Sequence, residues 1–365
     1  MRRSGHCGRV HARPAIPRSW LPAGCHTPYI DVCDARRVSN DAEFTEPARV
    51  NFRGYGGITI AGDSWGPQDG PLVVFLHGGG QTRGSWKDSG LALAKAGMHA
   101  VLLDARGHGD SDWDPDGNYR RDAMVEDLMA VLEQLGKSAF IVGASMGGLT
   151  GLMATTHPEA ARITGLVLVD VVPRPERKGV ERVINFLSSN PEGFASLEEA
   201  ADAVAAYLPH RRRPRNPEGL QRNLRKRADG RWYWHWDPAM MGGPRDGRGE
   251  EIDVHTEALE NAAKQLSIPT LLVRGALSDV VSEEGVTAFR ALTPHAEYIE
   301  IGTAAHTAAS DANDEFTDAV VDFVRAHNRR PARLITPPRA ASCRAGGRAV
   351  RPPAPGWRHP PARTG

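Results

Sequence analysis

Residues 141–148, IVGASMGG, place a serine between glycines at the end of an apolar run. Residues 143–147 match the pattern Gly-x-Ser-x-Gly, in which the serine stands on a sharp turn between a strand and a helix. The pattern predicts that Ser145 is a nucleophile, but an ordinary glycine-rich turn has the same appearance. The choice depends on whether the rest of the chain supplies a base, an acid and hydrogen-bond donors for an oxyanion.

Short apolar runs alternate with amphipathic stretches on both sides of this motif. We predict buried strands in residues 71–80, 98–109, 139–145, 163–170, 268–276 and 296–302. We predict helices in residues 85–97, 119–136, 146–159 and 314–328. An earlier segment, 57–66, has the polar and apolar alternation of an antiparallel strand. This order predicts an α/β fold with a mostly parallel, doubly wound sheet that helices cover on both faces.

Polar residues stand at or just past the ends of these predicted strands. Ligands of parallel α/β sheets bind at the carboxyl ends of the strands, so we expect these side chains to gather at one edge. The residues concerned are His77, Asp104, Ser145, Asp170, Asp279 and His306.

Residues 173–257 interrupt the alternation with polar, proline-broken stretches of helical spacing. They predict an inserted helical lid over the strand ends. The folded body is expected to span residues 46–327. It lies between a basic extension, 1–45, and a Pro/Arg-rich tail, 328–365, which are both expected to be disordered because they bury too little apolar surface.

The charge of the chain is uneven. Residues 46–327 hold 29 basic and 40 acidic residues, whereas the tail has nine arginines and no acidic residue. The composition of the tail is typical either of a nucleic-acid-binding arm or of a dispensable extension, and we prefer the second interpretation. All four cysteines lie in the two extensions, which predicts a reducing, cytoplasmic location. No apolar run approaches the ~20 residues that span a bilayer, so a membrane span is not expected.

A serine hydroxyl becomes a useful nucleophile only beside a base, which in turn needs an orienting acid. The N–H of Met146, at the start of the predicted helix, is suited to bind a developing negative charge. A second donor is expected from the loop HGGG, residues 77–80, where Gly79 is favoured and Gly80 comes next. Because HGGG lacks the lysine and the Ser/Thr of a phosphate-binding loop, phosphate binding is not expected.

These motifs together resemble the α/β-hydrolase superfamily, in the serine-nucleophile branch with a lid after the sixth strand. The resemblance covers about residues 50–327 and includes esterases, C–C hydrolases, epoxide hydrolases and dehalogenases. It rests on five motifs in family order: HGGG (77–80), DARGHGDSD (104–112), VGASMGG (142–148), LLVRGALSDVV (271–281) and GTAAHT (302–307). The family order implies that the acid and then the histidine follow the serine along the chain.

The resemblance implies that the base follows the last strand, where His306 stands, and this favours His306 over His295 and His327. The family more often has Gly-x-Gly-His here than the Thr-Ala-Ala-His of this chain. The acid is expected at Asp279, after the seventh strand. Asp170, after the sixth strand, is the alternative that some branches use, and its other role would be to anchor the lid.

The motif DARGHG carries Asp104, Arg106 and His108. They would suit a metal or a second catalytic pair, but the family favours polar side chains that hold a tight turn. No zinc-binding sequence motif is present, and neither a metal nor a cofactor is expected.

A serine at position 145 argues against epoxide hydrolase and dehalogenase chemistry, which uses an aspartate there. We therefore predict a serine hydrolase that transfers an acyl group, acting on a carboxylic ester or a similar small acyl substrate. Carbon–carbon bond hydrolysis and cofactor-free perhydrolysis are alternatives on the same triad. A non-catalytic hydrolase-fold binding module is the alternative from another class. The sequence does not determine the oligomeric state.

Residues 209–233 hold nine basic and two acidic residues. This charge reversal suggests either a solvated lid face that docks on acidic neighbours or attraction of an anionic substrate or an acidic carrier protein. The aromatic run WYWHW, residues 232–236, would either line an acyl pocket or form the core of the lid.

Overall fold

The computed structural model describes residues 46–209, 213, 216–241, 248–302 and 313–328. Within them, an eight-stranded sheet has the order β1-β2-β4-β3-β5-β6-β9-β10. Its strands are β1 (Ala48–Arg53), β2 (Thr59–Trp65), β3 (Leu72–Leu76), β4 (His99–Leu103), β5 (Ala139–Ala144), β6 (Ile163–Val169), β9 (Thr270–Gly275) and β10 (Glu297–Ile301). From β4 to β10 the pairs are parallel, and β1 and β2 are antiparallel. The predicted α/β fold with a mostly parallel sheet is confirmed.

Six helices follow the strands of this sheet. They are α1 (Lys87–Lys95), α2 (Arg121–Leu135), α3 (Met146–Ala154), α6 (Arg248–Gln265), α7 (Glu283–Leu292) and α8 (Asn313–His327). The predicted helix over 146–159 stops at Ala154 because the next two hydroxyls bond back to the chain. Thr155 and Thr156 each donate to the carbonyl three residues earlier, at 2.7 and 2.8 Å, before Pro158. Such bonds compete with helix continuation.

The sheet is buried on both faces, as its continuous apolar strands predict. Val74 of β3 and Ile141 of β5 belong to a core cluster with Leu128 of α2. Successive residues of a strand point to opposite faces. Phe75 therefore packs on the other side, where its ring centroid lies 5.2 Å from that of Trp86, and Trp86 lies 5.5 Å from Phe316 of α8.

The chain between β6 and β9 forms an insertion of mixed structure. It contains α4 (Arg177–Leu187), α5 (Leu197–Tyr207), and a hairpin of β7 (Leu224–Lys226) and β8 (Trp232–Trp234). Helices alone were predicted for this segment, and the hairpin was not. Its signal is the Asp-Gly pair at 229–230, since Gly230 has a φ of 81° at the turn. The second half of α6 packs into the main core through Leu259, Ala262 and Ala263.

No helix in the described residues combines the length and the apolar character that crossing a bilayer requires. The expectations for residues 1–45 and 329–365, and for His306, lie outside the described residues.

Candidate active site

Ser145 stands on the turn between β5 and α3, at the carboxyl edge of the sheet. Its φ of 45° and ψ of −114° lie outside the common regions for a residue with a side chain. Glycines allow the turn to close: a Cβ on Gly143 would lie 2.5 Å from the carbonyl oxygen of Gly147. A Cβ on Gly147 would lie 2.4 Å from the carbonyl oxygen of Leu76. The turn therefore holds Ser145 in a strained, projecting position.

The loop after β3 faces this serine, because β3 and β5 are neighbours. A Cβ on Gly78 would lie 3.5 Å from the Cβ of Ser145. The order of the strands also reverses here, since the chain moves from β3 outward to β4 and then returns to β5 on the other side of β3. Such a reversal point is where doubly wound sheets bind their ligands.

The N–H groups of this glycine loop have different partners. The Gly78 N–H donates to the side-chain oxygen of Gln81 at 3.1 Å, and the Gly80 N–H donates to Nε2 of His108 at 3.1 Å. The N–H groups of Gly79 and Met146 make no hydrogen bond within the described residues. Met146 is the first residue of α3, where N–H groups have no partner in the helix. Two free donors therefore flank Ser145.

His77 and His108 are buried and hold this loop in place. Nδ1 of His77 donates to the Gly78 carbonyl at 2.8 Å, and its Nε2 accepts the Ala105 N–H at 3.0 Å. Nδ1 of His108 donates to the Arg106 carbonyl at 3.1 Å, which leaves Nε2 free to accept from Gly80. Burial lowers the pKa of both imidazoles, so both are neutral and each has one donor and one acceptor.

The rest of the DARGHG motif also bonds within the protein. Both side-chain oxygens of Asp104 contact Arg83, through its N–H at 2.7 Å and through its guanidinium. Arg106 is fully buried and pairs with Asp127 through Nε and Nη2 at 2.6 and 2.9 Å. These side chains fix the turn after β4.

The two candidate acids both lie at the carboxyl edge, in different surroundings. Asp170 is fully buried, with a φ of 49°. Its carboxylate accepts the Gly275 N–H at 3.1 Å and the Ser278 hydroxyl at 2.6 Å. Asp279 follows the turn that these bonds hold, and its Oδ2 lies 2.9 Å from Nε of Arg182 in α4. The side chain of Asp279 is 37% exposed, so it is accessible to a partner.

The structure describes two of the three candidate histidines, His295 and His327. Nε2 of His295 bonds the Ile268 carbonyl at 3.0 Å, before β9 begins. Nε2 of His327 lies 2.6 Å from the Glu297 carboxylate, at the first residue of β10. Both are therefore at the sheet edge opposite Ser145. His306 lies outside the described residues; in the sequence it follows Ile301, the last residue of β10, by five positions.

Comparisons with known proteins agree with this fold. A family model described as the alpha/beta hydrolase fold matches residues 71–312. The chain belongs to the α/β-hydrolase family. It is 32% identical over 263 residues to the esterase Rv0045c of Mycobacterium tuberculosis, which covers 70% of this chain and 82% of the relative. A crystal structure of that esterase has a TM-score of 0.58 at 26% identity, over 80% of this chain and 99% of the other.

A mouse relative is named sn-1-specific diacylglycerol lipase ABHD11, at 29% identity over 70% of this chain and 81% of its own. The names of these relatives support an enzyme of the carboxylic ester hydrolase type with a small-molecule substrate. Within the described residues, no three His, Cys, Asp or Glu side chains are grouped to hold a metal ion.

The insertion of this α/β-hydrolase is tied to the DARGHG turn. The Asp237 N–H donates to the Gly107 carbonyl at 2.9 Å, and the Tyr119 hydroxyl donates to the Asp237 carboxylate at 2.5 Å. The Gly109 N–H donates to Nδ1 of His235 at 2.7 Å. The sequence analysis did not predict this role for His235 or Asp237, because the residues they contact lie more than a hundred positions away.

Apolar side chains of the insertion reach the glycine loop. A Cβ on Gly80 would lie 2.3 Å from Leu187 and 3.2 Å from Trp236, and Gly80 has a φ of 74°. The rings of Trp234 and Trp236 stack with centroids 4.8 Å apart. Members of the aromatic run therefore have two different surroundings. Trp234 packs in a cluster within the insertion, and Trp236 touches the loop beside Ser145.

The basic residues of the insertion contact nearby groups. Arg213 pairs with Asp202 at 2.5 Å, and Arg225 lies 3.5 Å from Asp110. Arg231 donates to main-chain carbonyls of Glu192 and Gly193, both at 2.7 Å. The described cations of residues 209–233 thus bond to groups of the protein itself. These contacts favour a lid face that docks on its neighbours over attraction of an anionic substrate or carrier protein.

We expect the variant His108→Leu to lower kcat by about 10- to 100-fold without raising KM for an uncharged ester. Leucine cannot accept the Gly80 N–H, so the loop that carries the free Gly79 donor loses an anchor. Deleting an oxyanion donor outright costs about 10²–10³-fold in rate, and displacing one should cost less. The measurement is steady-state kinetics with a p-nitrophenyl ester.

The variant His108→Gln is the control, because its side-chain oxygen can accept the Gly80 N–H in place of Nε2. It should recover most of the rate. A wild-type kcat in a folded His108→Leu enzyme would contradict this role.

Proposed function

We propose that this hydrolase cleaves carboxylic esters by acyl transfer, with Ser145 as the nucleophile, His306 as general base and acid, and Asp279 as the residue that orients His306. The N–H groups of Met146 and Gly79 would bind the oxyanion. One observation carries the proposal: Ser145 is strained on its turn between two N–H groups that have no other partner in the described residues.

In the first step, Oγ of Ser145 attacks the ester carbonyl carbon while His306 takes the hydroxyl proton. The carbonyl oxygen becomes an oxyanion that accepts hydrogen bonds from Met146 and Gly79. The carbon–oxygen bond to the alcohol then breaks, and His306 returns the proton to the leaving oxygen. An acyl-enzyme and a free alcohol result.

In the second step, water attacks the acyl-enzyme carbonyl while His306 takes one of its protons. Collapse of the second tetrahedral intermediate releases the acid, and His306 returns the proton to Oγ. The Asp279 carboxylate would hold His306 in the tautomer that both steps need and would stabilise its charged form.

Asp279 is preferred to Asp170 because of its surroundings. The Asp170 carboxylate already accepts two hydrogen bonds that hold the turn after β9. Asp279 is bonded at one carboxylate oxygen to an exposed arginine, an interaction that is weak at a protein surface. Asp170 would then position Asp279 rather than act in its place.

We also propose that residues 46–327 form the catalytic domain and that the insertion after β6 serves as its lid. The extensions 1–45 and 328–365 would have no part in catalysis, and the protein would act in the cytoplasm. The contact of Leu187 and Trp236 with the glycine loop supports the role of the insertion, since these side chains adjoin the place where an acyl group would lie.

The direct test of the proposal is covalent labelling by a fluorophosphonate, which reacts with activated serines. The full-length enzyme should be labelled at Ser145, and the Ser145→Ala variant should not be labelled. An unlabelled wild-type enzyme that also hydrolyses no ester would favour a non-catalytic binding module instead.

We expect kcat/KM to fall below about pH 6.5, the ordinary pKa of a histidine, because protonated His306 cannot accept the serine proton. Activity is thus present above this pKa and is lost as the pH decreases through it. His77, His108 and His235 do not produce this loss, because burial lowers their pKa, for His235 to about 3. The measurement is kcat/KM for an uncharged ester between pH 4 and 9.

Burial also raises the pKa of Asp104 to about 6, so this carboxyl needs a control. An Asp104→Asn enzyme should keep the acid limb in its wild-type position, and so should the distant variant His295→Gln. A rate that stays flat down to about pH 4 would contradict the triad.

A further inference from the structure

Arg121, the first residue of α2, carries a positive charge without an anionic partner. Its guanidinium has no hydrogen bond or ion pair within the described residues, and its Nε is shielded from solvent. The neighbouring arginine differs: Arg120 is 73% exposed and lies 3.3 Å from the Asp122 carboxylate. Burial lowers the pKa of Arg121 to about 10, as expected for a cation that has lost water and gained no counter-ion.

The helix directs Arg121 toward the core side of α2. Residues seven and eleven positions apart lie on one stripe of a helix, and those that follow Arg121 at these spacings are Leu128 and Leu132, both buried. Met124, one turn after Arg121, contacts the hydroxyl of Thr150 in α3 at 4.0 Å. Arg121 therefore extends the stripe of α2 that packs against α3.

The same stripe leads to the Ser145 turn. Met124, Leu128, Met146 and Gly147 line a common cavity of about 40 Å³ beneath that turn. Both α2 and α3 begin at the carboxyl edge of the sheet, so Arg121 lies one turn closer to that edge than Met124 does. Tyr119, two residues before Arg121, is bonded to Asp237 of the insertion. Arg121 therefore lies at the end of α2 that shares the carboxyl edge of the sheet with the Ser145 turn.

A guanidinium whose Nε is shielded from solvent and that has no counter-ion is unfavourable unless another group pairs with it. We propose that Arg121 binds a carboxylate of the substrate, so that the natural substrate is an ester that bears a negative charge. This inference rests on the proposed function, because it specifies the substrate class of the same site. Arginine suits this role because its planar fork pairs with both oxygens of a carboxylate.

The test compares monoesters of dicarboxylic acids, from p-nitrophenyl succinate to p-nitrophenyl adipate, each with the uncharged ester of equal chain length. Spontaneous hydrolysis is subtracted. In Arg121→Gln, KM for the best charged ester should rise about 10- to 100-fold, the contribution of hydrogen bonds to a charged group. The matched uncharged ester should change less than about threefold, since it makes no such bond.

Two further variants serve as controls. Arg120→Gln changes the adjacent exposed arginine and should leave both KM values unchanged. Arg121→Lys keeps the charge but not the planar fork and should give an intermediate KM. Arg121→Gln should also unfold at a higher temperature than the wild type, since it removes a desolvated charge, and this measurement shows that the variant folds.

The inference would be overturned if Arg121→Gln changed KM equally for charged and uncharged esters at every chain length. That result would leave the proposed function intact. Absence of hydrolysis of any ester would instead count against the proposed function. In that case, calorimetric binding of monomethyl adipate to Ser145→Ala decides the inference. Binding that is lost on adding Arg121→Gln supports it, and the absence of binding refutes it.

Discussion

The variant Ser145→Ala is expected to lower kcat/KM for ester hydrolysis by about 10⁴- to 10⁶-fold, because removing the nucleophile of a triad disables the whole unit. The remaining rate above that of water would come from the two free N–H donors and from substrate binding. The effect should be the largest of any single side chain, since in the proposed mechanism His306 and Asp279 act only through this hydroxyl.

The measurement is hydrolysis of a p-nitrophenyl ester, together with the melting temperature of each protein. Ser138→Ala is a matched control, because Ser138 is exposed just before β5 on the same strand segment and should not alter the rate. The Ser145→Ala protein should be as stable as the wild type, since alanine fits the same turn. A loss of less than about 100-fold would mean that another group carries the reaction.

The variant Asp279→Asn is expected to lower kcat by about 10³- to 10⁴-fold, because an amide stabilises the wrong tautomer of its histidine. In the proposed mechanism the reason is electrostatic as well as geometric, because the carboxylate would stabilise the imidazolium that forms in each step. The fold should survive the change, since the Asp279 side chain lies at the surface and its carboxylate is bonded to the exposed Arg182.

Asp170→Asn provides the contrast that identifies the acid. Its carboxylate is buried and bonded to Gly275 and Ser278, so we expect a loss of stability of about 1–3 kcal/mol and a kcat within about tenfold of wild type. The reverse result, a loss of more than about 10³-fold in Asp170→Asn with little change in Asp279→Asn, would assign the acid to Asp170.

The parts of the fold that local sequence determines could be predicted well. Short apolar runs predicted the six parallel strands, and the glycines at 143 and 147 predicted the close packing of the turn between β5 and α3. The partners of individual N–H groups in the HGGG loop could not be predicted. That Gly80 is bonded and Gly79 is free depends on His108, which lies on another strand end.

Some strands and side-chain contacts could also not be predicted from the sequence. Strand β1 carries exposed residues at Ala48 and Arg49 and gave no clear alternation, so it was missed. No sequence motif indicated Arg121. Its unusual property is that it has no hydrogen-bond partner within the described residues, and this can be seen only in the three-dimensional structure. The composition of the basic segment 209–233 suggested an anionic partner. The arginines that the structure describes there instead bond largely to nearby groups of the insertion.

The bonds from His235 and Asp237 to the DARGHG turn have a consequence for how this enzyme could diverge or be redesigned. That turn includes His108, the acceptor of the Gly80 N–H, so one continuous set of contacts joins the insertion to the HGGG loop. Exchanging the insertion for that of another hydrolase would therefore alter the catalytic rate along with substrate preference. A chimaera that keeps residues 234–241 and replaces only the segment before them would separate the two properties.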